Sequence, residues 1–146
     1  DQYYFGRQMF LLASLIQYTL PGCPSLYYGD EAGLVGYADP FNRGTYPWGK
    51  EDQGLVEYFR LLGRMRKGST VLRQGDFSPL CFNDQLCVYQ RRLGNRTVAV
   101  AVNRSGERRE IPWNRVIPKS AQVLMTVGGA DGAHALHSHS GIVLAF

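Results

Sequence analysis

The reading of this chain turns on one stretch, Pro21-Gly22-Cys23-Pro24-Ser25-Leu26-Tyr27-Tyr28-Gly29-Asp30-Glu31. An apolar helical pattern runs into it, and a long loop rich in Gly, Pro and aromatics runs out of it. Helix, apolar run, then loop is the order in which βα folds place a site at a strand end.

Upstream, Phe5, Met9, Leu12, Ala13 and Ile16 recur at helical spacing, which predicts a helix over Gln2 to Thr19. Phe10, Leu11, Leu15 and Tyr18 widen the apolar stripe, so this helix is expected to be covered on more than one side. Pro21 and Gly22 stop it. Cys23 to Tyr28 then reads as a short strand buried on both faces, as in parallel sheets. A lone parallel strand leaves its backbone groups unpaired, and the chain before it supplies no partner strand. With no Met at its start, the chain reads as a fragment or a processed piece.

Downstream, Gly29 to Gln53 reads as a long functional loop holding Tyr37, Phe41, Tyr46 and Trp48. A second helix is expected over Gly54 to Lys67, with Leu55, Tyr58, Phe59, Leu62 and Met65 inward and Gly68 as its C′ residue. Glu51 and Asp52 at its start, and Arg64, Arg66 and Lys67 at its end, suit the helix dipole. From Val71 on, short alternating runs predict strands around Leu86–Tyr89, Thr97–Val102, Glu110–Ile111, Ala121–Val127 and Gly141–Phe146, with Arg91 to Arg96 as a hairpin turn. That pattern predicts an antiparallel β-sandwich. The expected division is residues 1–69 and 70–146.

The totals remove several classes. At 146 residues, 45% hydrophobic and 19% charged, the composition is that of an ordinary globular domain. No apolar run reaches the roughly 18 residues of a membrane span, so no membrane role is expected. The net charge of +4 rests largely on Arg91, Arg92, Arg96, Arg104, Arg108 and Arg109. These alternate with apolar residues along expected strands, which predicts a solvated sheet face rather than a nucleic-acid surface. Cys23, Cys81 and Cys87 lack metal-ligand spacing and are expected to be free buried thiols. Thiol usage and the absence of a recognisable signal peptide lead to an expected cytoplasmic location.

Pro21-Gly22-x-Pro24-x-x-Tyr27-Tyr28-Gly29-Asp30-Glu31-x-Gly33 resembles the eighth-strand motif of the α-amylase family of glycoside hydrolases. Gly36-x-x-Asp39-Pro40-x-Asn42-Arg43-x-x-x-Pro47-Trp48 resembles that family's eighth-loop signature, in the style of neopullulanases, cyclomaltodextrinases and α-glucosidases. The resemblance implies an α+β piece: the last strand and flanking helices of a (β/α)8 barrel, followed by the sandwich called domain C. It further implies a parent enzyme that cleaves or transfers α-glucosidic bonds with retention, and an α-glucan oligosaccharide as partner. The family's Asp nucleophile, Glu acid/base and second Asp follow earlier strands, so the resemblance places them before residue 1. No Asn-His-Asp and no Gly-x-Arg-x-Asp motif occurs here. Asp30 and Glu31, if extended, point to opposite faces and cannot bracket one glycosidic bond. The chain alone is therefore expected to be inert.

By the same resemblance Asp39 and Arg43 match a pair that contacts sugar hydroxyls. A carboxylate and a guanidinium suit fork bonds to vicinal hydroxyls, and equally suit each other as a loop brace. Asp30 and Glu31 are expected to brace neighbouring loops. Tyr46 can stack on sugar or pack, Trp48 is expected to pack beside Pro47, and Tyr27 and Tyr28 are expected in the core. His137 and His139 share a face if they lie on a strand, but no acidic or Cys partner is spaced to complete a metal site. No cofactor and no metal are expected. Two rival readings are a carbohydrate-binding module, with Trp113 and Tyr89 as its aromatic handles, and an interaction domain that self-associates through the exposed barrel remnant.

Overall fold

The computed structural model describes residues 2–146. Three helices precede the sheets: α1 (Gln2–Thr19), α2 (Gln53–Gly68) and α3 (Thr70–Gln74). The strands are β1 (Asp76–Phe82), β2 (Leu86–Leu93), β3 (Arg96–Asn103), β4 (Arg109–Glu110), β5 (Gln122–Val127), β6 (Ala130–Asp131), β7 (Ala135–Leu136) and β8 (Ser140–Ala145). An antiparallel five-stranded sheet runs β1-β2-β3-β8-β5, and a small sheet runs β4-β7-β6. No closed barrel is present among the described residues.

The five-stranded sheet is the middle of three layers, and the period-2 alternation of its strands explains why. On β3, Val98, Val100 and Val102 face the helices, where they meet Leu12, Leu15, Phe59, Leu62 and Leu72. Ala99 and Ala101 face the opposite way, toward Ile111, Trp113 and Leu136 of the small-sheet side. A strand covered on both sides reads as a continuous apolar run. Leu15, Leu62 and Leu72 are completely buried; truncating such a residue to Ala costs about 2–5 kcal/mol.

α1 docks closely because of Gly141 on β8. A Cβ there would stand 2.9 Å from Leu15 Cδ2 and 3.3 Å from Leu12 Cδ2, so only a glycine lets the helix sit at this depth. The expected cover on more than one side is met for the C-terminal part of α1, by the sheet and α2. Its first turns are open: Tyr3, Tyr4 and Phe5 are 69%, 70% and 51% exposed.

Several expectations need correction. Cys23 to Tyr28 is not a strand: it joins no ladder, and Leu26, Tyr27 and Tyr28 are exposed. Its composition favours extension, but backbone groups form a strand only when another strand pairs with them. Gly68 is the last residue of α2 rather than a C′ cap. Ser69 ends the helix in an extended conformation and its side chain accepts from Leu72 N, capping α3, which the sequence pattern did not separate. The turn expected over Arg91–Arg96 is only Gly94-Asn95, with β2 and β3 running to either side. β1, β6 and β7 lie outside the sequence expectation, being an edge strand with a register shift between Pro79 and Cys81 and two two-residue pieces.

Arg91 is the largest departure. It does not belong to a solvated face: it is 1% exposed and follows Cys87 and Tyr89 onto the helix side of β2. Of the cysteines, Cys23 is exposed and the other two are half-buried. Cys81 and Cys87 pack against opposite faces of the sheet, and burial pushes the Cys87 thiol up to about 11.

Candidate functional site

The loop between α1 and α2 is anchored at its centre by a short 3-10 turn, Asp30–Ala32. Gly29 precedes it at φ 90°, a left-handed conformation that a Cβ would strain, and a Cβ would also stand 2.8 Å from Leu34. The turn corrects the expectation of an extended Asp30-Glu31 pair: the two carboxylates belong to one tight coil and do not alternate across a strand. Ala32 O accepts from Asp52 N at 2.9 Å, which ties the turn to the start of α2.

Asp52 is the N-cap of α2. Its carboxylate accepts from Leu55 N at 3.0 Å and from Arg7 Nη2, which is shared between Oδ1 and Oδ2 at 3.2 Å each. The Leu55 amide and then the Arg7 guanidinium hold its pKa below the usual carboxylate value. Helices α1 and α2 are thereby clamped beside the loop. Sequence separation hid this pair, since Arg7 and Asp52 lie 45 residues apart.

Glu31 braces the loop from within. Its Oε2 accepts from Gly29 N at 3.0 Å. Burial, and then the nearby Glu31 carboxylate, raise the Tyr46 pKa. Asp30 lines two cavities: one of about 300 Å³ with Tyr27, Tyr28, Tyr37 and Asn42, and one of about 360 Å³ with Tyr3, Arg7 and Phe10. Burial, and then the neighbouring Glu31, push the Asp30 carboxyl above its usual value. Asn42 presents a buried Oδ1 without a hydrogen-bond partner among the described residues.

Asp39 and Arg43 come together as a two-point fork on the outer loop. Arg43 Nε lies 2.7 Å from Asp39 Oδ1, and Arg43 Nη2 donates to Asp39 Oδ2 at 2.9 Å. Both side chains are open to solvent, 66% and 59% exposed, so a ligand can reach them. The aromatic expectations change here. Trp48 is 81% exposed and its ring lies beside that of Tyr46, 4.6 Å between centroids, with no closed barrel among the described residues for it to pack on. Tyr27 and Tyr28 pack on each other at 5.0 Å instead of entering a core, and the Tyr28 hydroxyl donates to Gly44 O at 2.9 Å. Tyr37 and Phe41 are also open, 83% and 75% exposed.

Elsewhere, His137 does find an acidic neighbour, Asp131, at 2.9 Å, and Arg108 approaches the other Asp131 oxygen at 2.6 Å. His139 adopts φ 48°, so it does not share a strand face with His137. No group of three or more His, Cys, Asp or Glu arranged to hold a metal is found among the described residues. No helix among them is long and apolar enough to cross a membrane.

The loop is open to solvent and carries the exposed Asp39–Arg43 pair beside exposed aromatic rings. No family model matches the chain. It is 37% identical over 110 residues to an amylopullulanase of Thermoanaerobacter thermohydrosulfuricus, a match covering 68% of this chain and 8% of that protein. It is 41% identical over 105 residues to a cyclomaltodextrinase of Geobacillus thermopakistaniensis, covering 69% of the chain and 18% of the relative. Among solved structures it resembles a debranching enzyme of Nostoc punctiforme from acarbose-soaked crystals, with a TM-score of 0.81 and 27% identity over 96% of this chain and 29% of that one. It also resembles an α-amylase of Geobacillus thermoleovorans complexed with acarbose, with a TM-score of 0.78 and 26% identity over 94% and 33% of the two chains. The chain belongs to the α-amylase family of glycoside hydrolases. It corresponds to a segment of those enzymes, spanning less than a fifth of the curated relatives' length.

Proposed function

We propose that this chain is the C-terminal part of an α-glucan-active hydrolase or transglycosylase that cleaves α-glucosidic bonds with retention. In that enzyme the loop from Gly29 to Gln53 forms one wall of the cleft, and the Asp39–Arg43 fork hydrogen-bonds sugar hydroxyls. The sandwich, residues 70–146, supports the barrel through α1, α2 and α3. The chain alone does not turn over glucan. The observation that supports this reading is the similarity to an amylopullulanase and a cyclomaltodextrinase, of which the chain spans less than a fifth. Within the chain, Asp39 pairs with Arg43 and Glu31 accepts from the Gly29 amide, positions that suit bracing the loop. Retaining chemistry needs two carboxyl groups roughly 5–5.5 Å apart across the scissile bond.

The carbohydrate-binding module loses its expected platform. Trp113 is 6% exposed with Nε1 donating to Ala133 O at 2.6 Å, and Tyr89 is fully buried. A cytoplasmic location remains part of the proposal. The experiment is Asp39→Ala in a protein that carries this chain together with the preceding barrel, assayed on maltooligosaccharides. A rise in KM or a fall in kcat/KM of about tenfold or more is expected for a lost charged hydrogen bond. Unchanged kinetics contradict the sugar role.

A further inference from the structure

We propose that Arg91 of β2, together with Arg66 of α2, positions the loop between α1 and α2 by gripping the turn from which its stretch departs. This rests on the reading of that loop as sugar-facing. α1 has no basic residue in its last turn. The carbonyls at a helix C-terminus lack intrahelical donors and carry partial negative charge. Here two cations from elsewhere in the chain meet them. Arg66 Nη1 donates to Tyr18 O at 2.8 Å and Leu20 O at 3.0 Å, and its Nη2 donates to Gly22 O. Arg91 Nη1 donates to Thr19 O and Leu72 O, both at 2.9 Å. Its Nε and Nη2 donate to Gly75 O at 3.2 and 2.7 Å. The Tyr89 hydroxyl meets Thr19 Oγ1 alongside.

Neither guanidinium has a carboxylate partner among the described residues, although Arg91 is 1% and Arg66 9% exposed. A buried cation needs compensation, and backbone carbonyls at the end of α1 and in α3 with its C-cap residue Gly75 supply it to Arg91. The fork geometry therefore reads backbone position, which an apolar side chain of the same volume cannot do. The next residues, 23–28, join no ladder. Their course is set at one end by these arginines. At the other it is set by the Gly29–Glu31 bond and the 2.9 Å link from Asp52 N to Ala32 O. Gln17 adds one exposed tie, to Ser25 O at 2.7 Å. The sandwich thus reaches the candidate site through a turn it does not share in sequence.

The test is residue-resolved amide hydrogen exchange on the chain, comparing Asp30, Ala32 and Leu34 with Val100 and Val143 in the sheet. Arg91→Lys removes the fork while keeping charge, and Tyr89→Phe removes only one hydroxyl. Val88→Ala serves as a control on the opposite face of the same strand. Arg91→Lys is expected to speed exchange in the loop about tenfold more than in the sheet, and Tyr89→Phe about threefold more. Val88→Ala is expected to give no excess in the loop. If Arg91→Lys does not fold, Tyr89→Phe decides. Acceleration no larger in the loop than in the sheet overturns the proposal. Exchange is read without sugar, so this outcome is independent of the Asp39→Ala kinetics.

Discussion

Replacing Asp52 separates two contributions that one carboxylate makes to the clamp beside the loop. As N-cap it accepts from Leu55 N at 3.0 Å, and as an ion-pair partner it meets Arg7 at 3.2 Å with both side chains about 30% exposed. Loss of a cap to Ala costs about 1 kcal/mol. Loss of a partly exposed ion pair adds about 0.5 kcal/mol. Asp52→Ala is therefore expected to destabilise by about 1.5 kcal/mol, a fall in Tm of roughly 3–6 °C for a domain of this size. Asp52→Asn keeps the capping oxygen and loses the charge, so its cost is about 0.5 kcal/mol. The folded-state pKa of Asp52 lies below its unfolded value of about 3.9. The charged form's contribution is accordingly complete above that unfolded value and lost as pH falls through the lower folded one. Urea melts of the three proteins at pH 7 and at acid pH measure this directly. Equal losses for Ala and Asn, or a wild-type advantage over Asn that survives below both pKa values, would refute the division of labour.

Other consequences concern packing and surface. Gly141→Val is expected to cost about 1–3 kcal/mol by pushing α1 off β8, read as a lower urea midpoint and faster exchange in α1. Trp48 is expected to dominate acrylamide quenching, since Trp113 is buried, so Trp48→Phe should remove most of the quenchable emission. The exposed Tyr3, Tyr4, Phe5, Tyr27 and Tyr28 are expected to make the isolated chain self-associate. Light scattering after size exclusion should then give a mass that rises with concentration, and a strictly monomeric elution at all concentrations contradicts it.

Much of the fold was legible because its signals are local. α1 and α2 follow from helical spacing, and β3 from an apolar run that the structure covers on both sides. The motif residues around Pro21 to Trp48 carried the family. What stayed hidden depends on distant partners. Cys23–Tyr28 has the composition of a strand, but pairing decides a strand and no described residue pairs with it. Arg91 resembles its exposed neighbours in sequence. Its burial follows only from carbonyls 16, 19 and 72 residues away. Its place on the face of Tyr89 was readable from period-2 alternation, which is the one signal that was available. Trp48 lies open to solvent where the described residues form no closed barrel for it to pack on.

Turnover by the isolated chain is the most direct test of the account's central claim, that bond cleavage needs groups outside these residues. Purified chain incubated with maltooligosaccharides is predicted to leave the product distribution unchanged. Shorter or transferred products that disappear in Asp30→Ala would contradict it.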